Sequence, residues 1–71
     1  MGKRSLIIAK AAAARILQKG GAERVSNEAA QSFAELLEEI GTNISEQAVR
    51  ISEHSGRKTV HAEDVKLAAR G

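Results

Sequence analysis

From Asn27 to about Ser55 the chain holds one helical register without a break. Phe33, Leu37, Ile40, Ile44, Ala48 and Ile51 follow at steps of 4, 3, 4, 4 and 3, a spacing that keeps side chains on one face of a helix. Leu36 and Val49 widen that stripe. At the standard rise the helix runs for roughly 40 Å. The whole sequence has 71 residues, so the flanks can supply helices of only about 15 to 20 Å each. Two such helices cannot cover the long one, and much of the stripe would stay wet in a single copy. Burial against a second copy is the simplest remedy. Helix lengths therefore predict a homodimer with Phe33, Leu37, Ile40, Ile44 and Ala48 in its core.

The flanks read as follows. Leu6 to Lys19 is an alanine-rich helix bounded by Gly20-Gly21. Ala22 to Val25 is a short connection, and Ser26 stands where a capping hydroxyl is wanted. Glu28 suits the positive end of the long helix. Gly41 lies inside that helix at a cost of about 1 kcal/mol relative to alanine, and marks a close crossing with another helix. Gly56 ends it, and Arg57-Lys58-Thr59-Val60 forms an extended connector. A third helix spans about Ala62 to Arg70, with Glu63 and Asp64 at its N-terminal end and Arg70 at its C-terminal end. Val65, Leu67, Ala68 and Ala69 supply its apolar side. The expectation is an all-α fold, short helix, long helix, short helix, in a single domain over 1–71.

Composition narrows the remaining choices. A chain this small buries little apolar surface alone and needs disulfides, a metal or a partner. It has no cysteine and two histidines, His54 and His61, too few for a structural zinc site. No cofactor, metal or small-molecule substrate is expected. No strictly apolar run is longer than Ala11–Ala14, so no segment spans a bilayer. The start, Met1 to Ala9, has Lys3 and Arg4 before an apolar patch that Lys10 interrupts, too short for a signal peptide. A soluble, cytoplasmic protein is expected, with no membrane partner. Between Glu28 and Glu53 six acids face one base, Arg50, while the rest of the chain carries ten bases against three acids. A polyanion would be held by the flanks, with the acidic middle turned away.

Gly21-Ala22-Glu23-Arg24-Val25-Ser26, Leu37-Glu38-Glu39, Gly56-Arg57-Lys58-Thr59-Val60 and Ala62-Glu63-Asp64-Val65 together resemble the archaeal histones. The spacing agrees without a gap from Arg15 onward, about four-fifths of the chain. The resemblance implies the histone fold, in which two chains clasp head to tail as an intertwined handshake dimer. It implies non-sequence-specific binding and compaction of double-stranded DNA, in a nucleosome-like, nucleoid-associated role. By position, Arg24 would enter the minor groove, with Thr59 of the partner's connector orienting it. Lys58 and Arg15 would meet phosphate. Arginine in a narrow minor groove answers its negative potential, and phosphate contacts carry no sequence information. Arg57 and Asp64 would form an internal ion pair, the alternative being that Arg57 is one more phosphate contact. His54 and Ile51, with Asp64 of a neighbouring dimer, would join dimers into tetramers or longer stacks. The alternative for His54 is a helix-terminal residue favoured by the dipole. Lys10 and Lys19 have no firm counterpart in the family; Lys19 joins the DNA-binding set on charge, against a plain surface role. His61 reads as a cap residue of the third helix.

Three departures from the family stand out. Ile8-Ala9-Lys10-Ala11 occupies the place of a Pro-Ile-Ala-Pro opening. Ala30, Thr42 and His61 stand where relatives often carry a base, which points to weaker binding or altered DNA geometry. No basic tail follows Arg70. Three rival readings compete. An enzyme lacks support, because His54 and His61 are not at zincin spacing and no nucleophile stands at a glycine-rich turn. A histone-fold heterodimerisation module of a transcription-factor-like complex has little use for Arg24, Lys58 and Thr59. A plain coiled coil would not be flanked by capped helices.

Overall fold

The computed structural model describes residues 7–71, which form three helices: α1 (Lys10–Lys19), α2 (Asn27–His54) and α3 (Ala62–Arg70). No strand occurs among the described residues. The expected start of the first helix at Leu6 lies outside them. Ile7 to Ala9 are described and are not helical, so α1 begins later than its composition suggests. Ala9 offers no side-chain cap and the first turn has no acid. The lead-in is tied back instead, the Ile7 N–H donating to the Glu38 carboxylate at 3.0 Å.

Both connectors open with the same device. At the end of α1 the Gly21 N–H reaches the Gln18 carbonyl at 2.9 Å and the Ala22 N–H the Leu17 carbonyl at 3.2 Å. At the end of α2 the Gly56 N–H reaches the Glu53 carbonyl at 2.9 Å and the Arg57 N–H that of Ser52 at 2.9 Å. This crossed pair satisfies carbonyls that the helix itself leaves open. It needs a left-handed residue, and Gly21 (φ 118) and Gly56 (φ 73) provide it.

The chain divides into two compact units, one ending at Glu39 and the other running from Ile40 to Gly71. In the first, α1 and the opening half of α2 bury Ala13, Ala30 and Ala34. In the second, the closing half of α2 and α3 bury Ala48, Ser52, Asp64 and Ala68. The Ser52 hydroxyl donates to the Val49 carbonyl at 2.9 Å, so its burial leaves no orphan. These are small side chains. A buried methyl contributes about 0.8 kcal/mol, against roughly 1.5–3 kcal/mol for a whole leucine, isoleucine or phenylalanine.

Larger side chains are less covered. Phe33, Leu37, Ile44 and Ile51 are half-buried, and Leu36 and Ile40 are exposed at 49% and 47%. Of the expected core stripe, Ala48 is fully buried within the chain. Within the single chain only part of the expected apolar side of α3 is covered. Ala68 is buried, but Val65, Leu67 and Ala69 are exposed, and Asp64 takes the second buried place. Residues 64 and 68, one turn apart, face the same way, and small size at 68 lets α3 lie close to Ala48 and Ser52 of its own unit. The crossing expected at Gly41 is not made by this chain either. A Cβ placed there meets no atom within 4 Å.

Candidate nucleic-acid interface

The second connector is built around an inward-turned arginine. Arg57 leaves α2 one residue after the left-handed glycine, and its guanidinium grips Asp64 with two bonds, Nη1 to Oδ2 at 3.0 Å and Nη2 to Oδ1 at 2.9 Å. Nη1 also donates to the Thr59 carbonyl at 2.9 Å. The planar fork of arginine suits such two-point binding of a carboxylate. From the other side the His61 N–H donates to Asp64 Oδ2 at 2.8 Å, which caps α3 at its first turn. His61 is the N-cap residue of α3. The Asp64 side chain is 4% exposed and that of Arg57 30%.

These bonds set the charge states. The Arg57 guanidinium, with help from the His61 N–H, holds the Asp64 carboxyl down at about 2. The Asp64 carboxylate raises Arg57 in turn. The pair therefore stays ionised at any physiological pH. Structurally it nails the connector to α3 through both ends of the intervening segment. Lys58 and Thr59 lie on the held stretch, and both are exposed. Arg57 itself is engaged inward and is poorly placed to serve as another phosphate contact.

The first connector is fastened differently. The Ser26 hydroxyl accepts the Ala29 N–H at 3.0 Å and caps α2. Val25 is half-buried and anchors the connector, while Glu23 and Arg24 are exposed. Arg15 and Lys19 are exposed on α1, Lys19 in its last turn. Arg15, Lys19 and Arg24 thus belong to the first unit, Lys58 and Thr59 to the second.

His54 closes α2 and is exposed, beside an open depression that it lines with Arg50 and Glu53. Ile51, one turn earlier, is half-buried. Asp64, expected to serve a neighbouring dimer as well as Arg57, has both its oxygens occupied within its own unit. The sequence reading missed the buried alanines at 13, 30 and 34 and the buried Ser52. Their signal was available in the recurrence of small residues one and two turns from each connector. Among the described residues no group of three or more His, Cys, Asp or Glu side chains could hold a metal ion. Nor is any described helix long and apolar enough to cross a membrane.

Residues 8–69 match the family model of the histone-like transcription factors (CBF/NF-Y) and archaeal histones. Over 57 residues the chain is 54% identical to the probable archaeal histone 3 of Methanocaldococcus jannaschii, covering 80% of this chain and 85% of that one. Over 56 residues it is 50% identical to an archaeal histone of Thermococcus zilligii, one of the subunits of HAN1, covering 79% and 84%. A more remote similarity, 36% over 61 residues, links it to histone H4 of Dictyostelium discoideum, of which it spans 56%.

Proposed function

The chain belongs to the family of histone-like transcription factors and archaeal histones, and on that premise we propose that it binds and compacts double-stranded DNA as a homodimer, reading backbone and groove shape rather than base sequence. A histone-fold protein of this kind is a structural chromatin component and not an enzyme. The observation that carries the reading is the latched second connector. Arg57 is spent on Asp64, and the cation and hydroxyl beside it are exposed on the segment those bonds tie to α3. Preorganised cations lose little entropy when they meet a phosphate.

In the dimer, Arg24 from the first connector of one copy lies beside Lys58 and Thr59 from the second connector of the other. Arg24 enters the minor groove, Thr59 orients it, and Lys58, Arg15 and Lys19 neutralise phosphates. The acids of α2, outside this set, face away from the duplex. His54 and Ile51 join one dimer to the next, giving tetramers or longer stacks along the chromosome. Because Asp64 is held by Arg57, that contact draws on Ile51 and His54 more than on the carboxylate.

Nuclease digestion of protein–DNA complexes tests this reading. A regular ladder of protected lengths is expected, and complete digestion at saturating protein would reject it. Arg24→Ala combined with Lys58→Ala should weaken binding on all sequences alike. One similarity favours a second reading of the partner: the Thermococcus zilligii relative is named for its place in a multi-chain histone, which supports pairing with a different histone-fold chain. The transcription-factor alternative has less support, since the curated relatives are named histones.

A further inference from the structure

The second connector ends on a side chain that the latch does not use. Arg57 fixes the connector at one end. At the other, His61 and Asp64 form the reciprocal pair of a capping box at the start of α3. Two bonds made by the His61 main chain hold this cap. Its N–H donates to Asp64 Oδ2 at 2.8 Å, and its carbonyl accepts the Asp64 N–H at 3.0 Å. The imidazole can therefore leave the cap without orphaning a group. His61 is exposed, two residues beyond Thr59 and three beyond Lys58, both exposed as well. An extended chain covers at most about 3.6 Å per residue, so the three backbones fit within roughly 11 Å.

We propose that His61 is a proton-dependent phosphate contact of the DNA-binding edge: neutral, it rests on the α3 cap, and charged, it joins Lys58 against the duplex. This rests on the DNA-binding reading above. Histidine is the side chain whose ordinary change of charge falls between pH 5 and 8. An imidazolium also offers an anion two N–H donors where the neutral ring offers one. A two-fold dimer carries the site twice, so acidification adds two charges to the edge that already holds Lys58.

The neighbouring charges leave this change legible. They are Asp64 and Glu63 on α3, Arg57 and Lys58 on the connector, and Glu53 and His54 at the end of α2. Asp64 is held down at about 2 by Arg57, which the same carboxylate raises. The latch therefore keeps its charges between about pH 8 and pH 5.5, and lysine, arginine and glutamate ordinarily titrate outside that window. His54, the other histidine of the chain, is the rival, and it closes a different element.

Affinity for a duplex short enough to take one dimer, measured at about pH 8 and pH 5.5 over a range of salt, tests the assignment. Unsubstituted protein should bind about tenfold tighter or more at the lower pH. Its log–log salt slope should steepen by up to about 1.8, from 0.9 for each of two added phosphate contacts. His61→Gln should keep the affinity of the higher pH and lose the gain. His61→Lys should bind tightly at both, a rescue that a role confined to capping α3 would not give. His54→Gln should leave the gain intact. A gain that survives in His61→Gln, a gain lost in His54→Gln, or unsubstituted binding that ignores pH overturns the assignment and leaves the DNA reading standing. Protein that binds no duplex at either pH removes the DNA reading itself, and this contact with it.

Discussion

The two connectors have the same backbone course and different fasteners. Each leaves its helix through a left-handed glycine with the same crossed pair of hydrogen bonds. Each reaches the N-cap of the next helix five residues later, Gly21 to Ser26 and Gly56 to His61. Alignment on these glycines sets Ala22 against Arg57, Glu23 against Lys58, Arg24 against Thr59 and Val25 against Val60. In the first unit a neutral hydroxyl caps the following helix. In the second an ion pair does this and grips the connector at the same time. Backbone geometry makes the joint, and the side chains decide how firmly it is held.

The largest effect should come from Asp64→Ala. It leaves the Arg57 guanidinium without its carboxylate and removes the cap of α3 together. Destabilisation in urea should exceed that of any change in the first connector, and hydrogen exchange should show α3 loosening first. Loss of protection in α1 before α3 would break the comparison.

Acid should reproduce part of this. The folded pKa of Asp64 lies at about 2, below its ordinary value of 3.8. A depressed carboxyl contributes stability above the unfolded value and loses it as pH falls through the folded one. The second unit should therefore weaken between about pH 4 and pH 2. Arg57 is raised above its ordinary value by the Asp64 carboxylate, so it stays charged throughout and adds no slope in the acid range. Asp64→Asn should lower the starting stability and abolish this acid-dependent step; an unchanged step would assign it to other carboxylates.

Smaller effects test the shared backbone device and the neutral fastener. Gly21→Ala and Gly56→Ala each force a side chain into the left-handed region, at about 1–2 kcal/mol. Gly21→Ala should cost the more in thermal unfolding, because its φ of 118 lies farther from the left-handed well at about +57° than the 73 of Gly56, while a Cβ at either position meets no neighbour. Equal costs would contradict this difference between the two turns. Ser26→Ala should cost about 1 kcal/mol, the usual worth of a helix cap, with no dependence on acid.

Much of this was legible in the residues. Ser26, Gly21 and Gly56 announce their roles, because capping and left-handed turns demand particular residue types. The start of α1 was not legible. Leu6, Ile7 and Ile8 before Ala9 are as apolar as the alanine run after it, and no capping residue marks the boundary. On α3 apolar character marks Val65, Leu67, Ala68 and Ala69 alike, while the single unit buries Ala68 and an aspartate. Hydrophobicity alone does not separate a face that packs within a chain from one held for a partner. Small residues allow close packing inside each unit, and the large ones remain half-covered. The arginine–aspartate latch was implied by family resemblance, since nothing in the spacing of 57 and 64 alone distinguishes a latch from two surface charges.

A salt titration of binding to duplexes of unrelated sequence bears most directly on the idea that outward cations on two connectors hold DNA by its backbone. The logarithm of affinity should fall linearly with the logarithm of salt concentration, at about −0.9 for each phosphate neutralised. The slope should be the same for every sequence and shallower once Arg24 and Lys58 are alanines. A flat titration, or tight binding confined to one sequence, would contradict it.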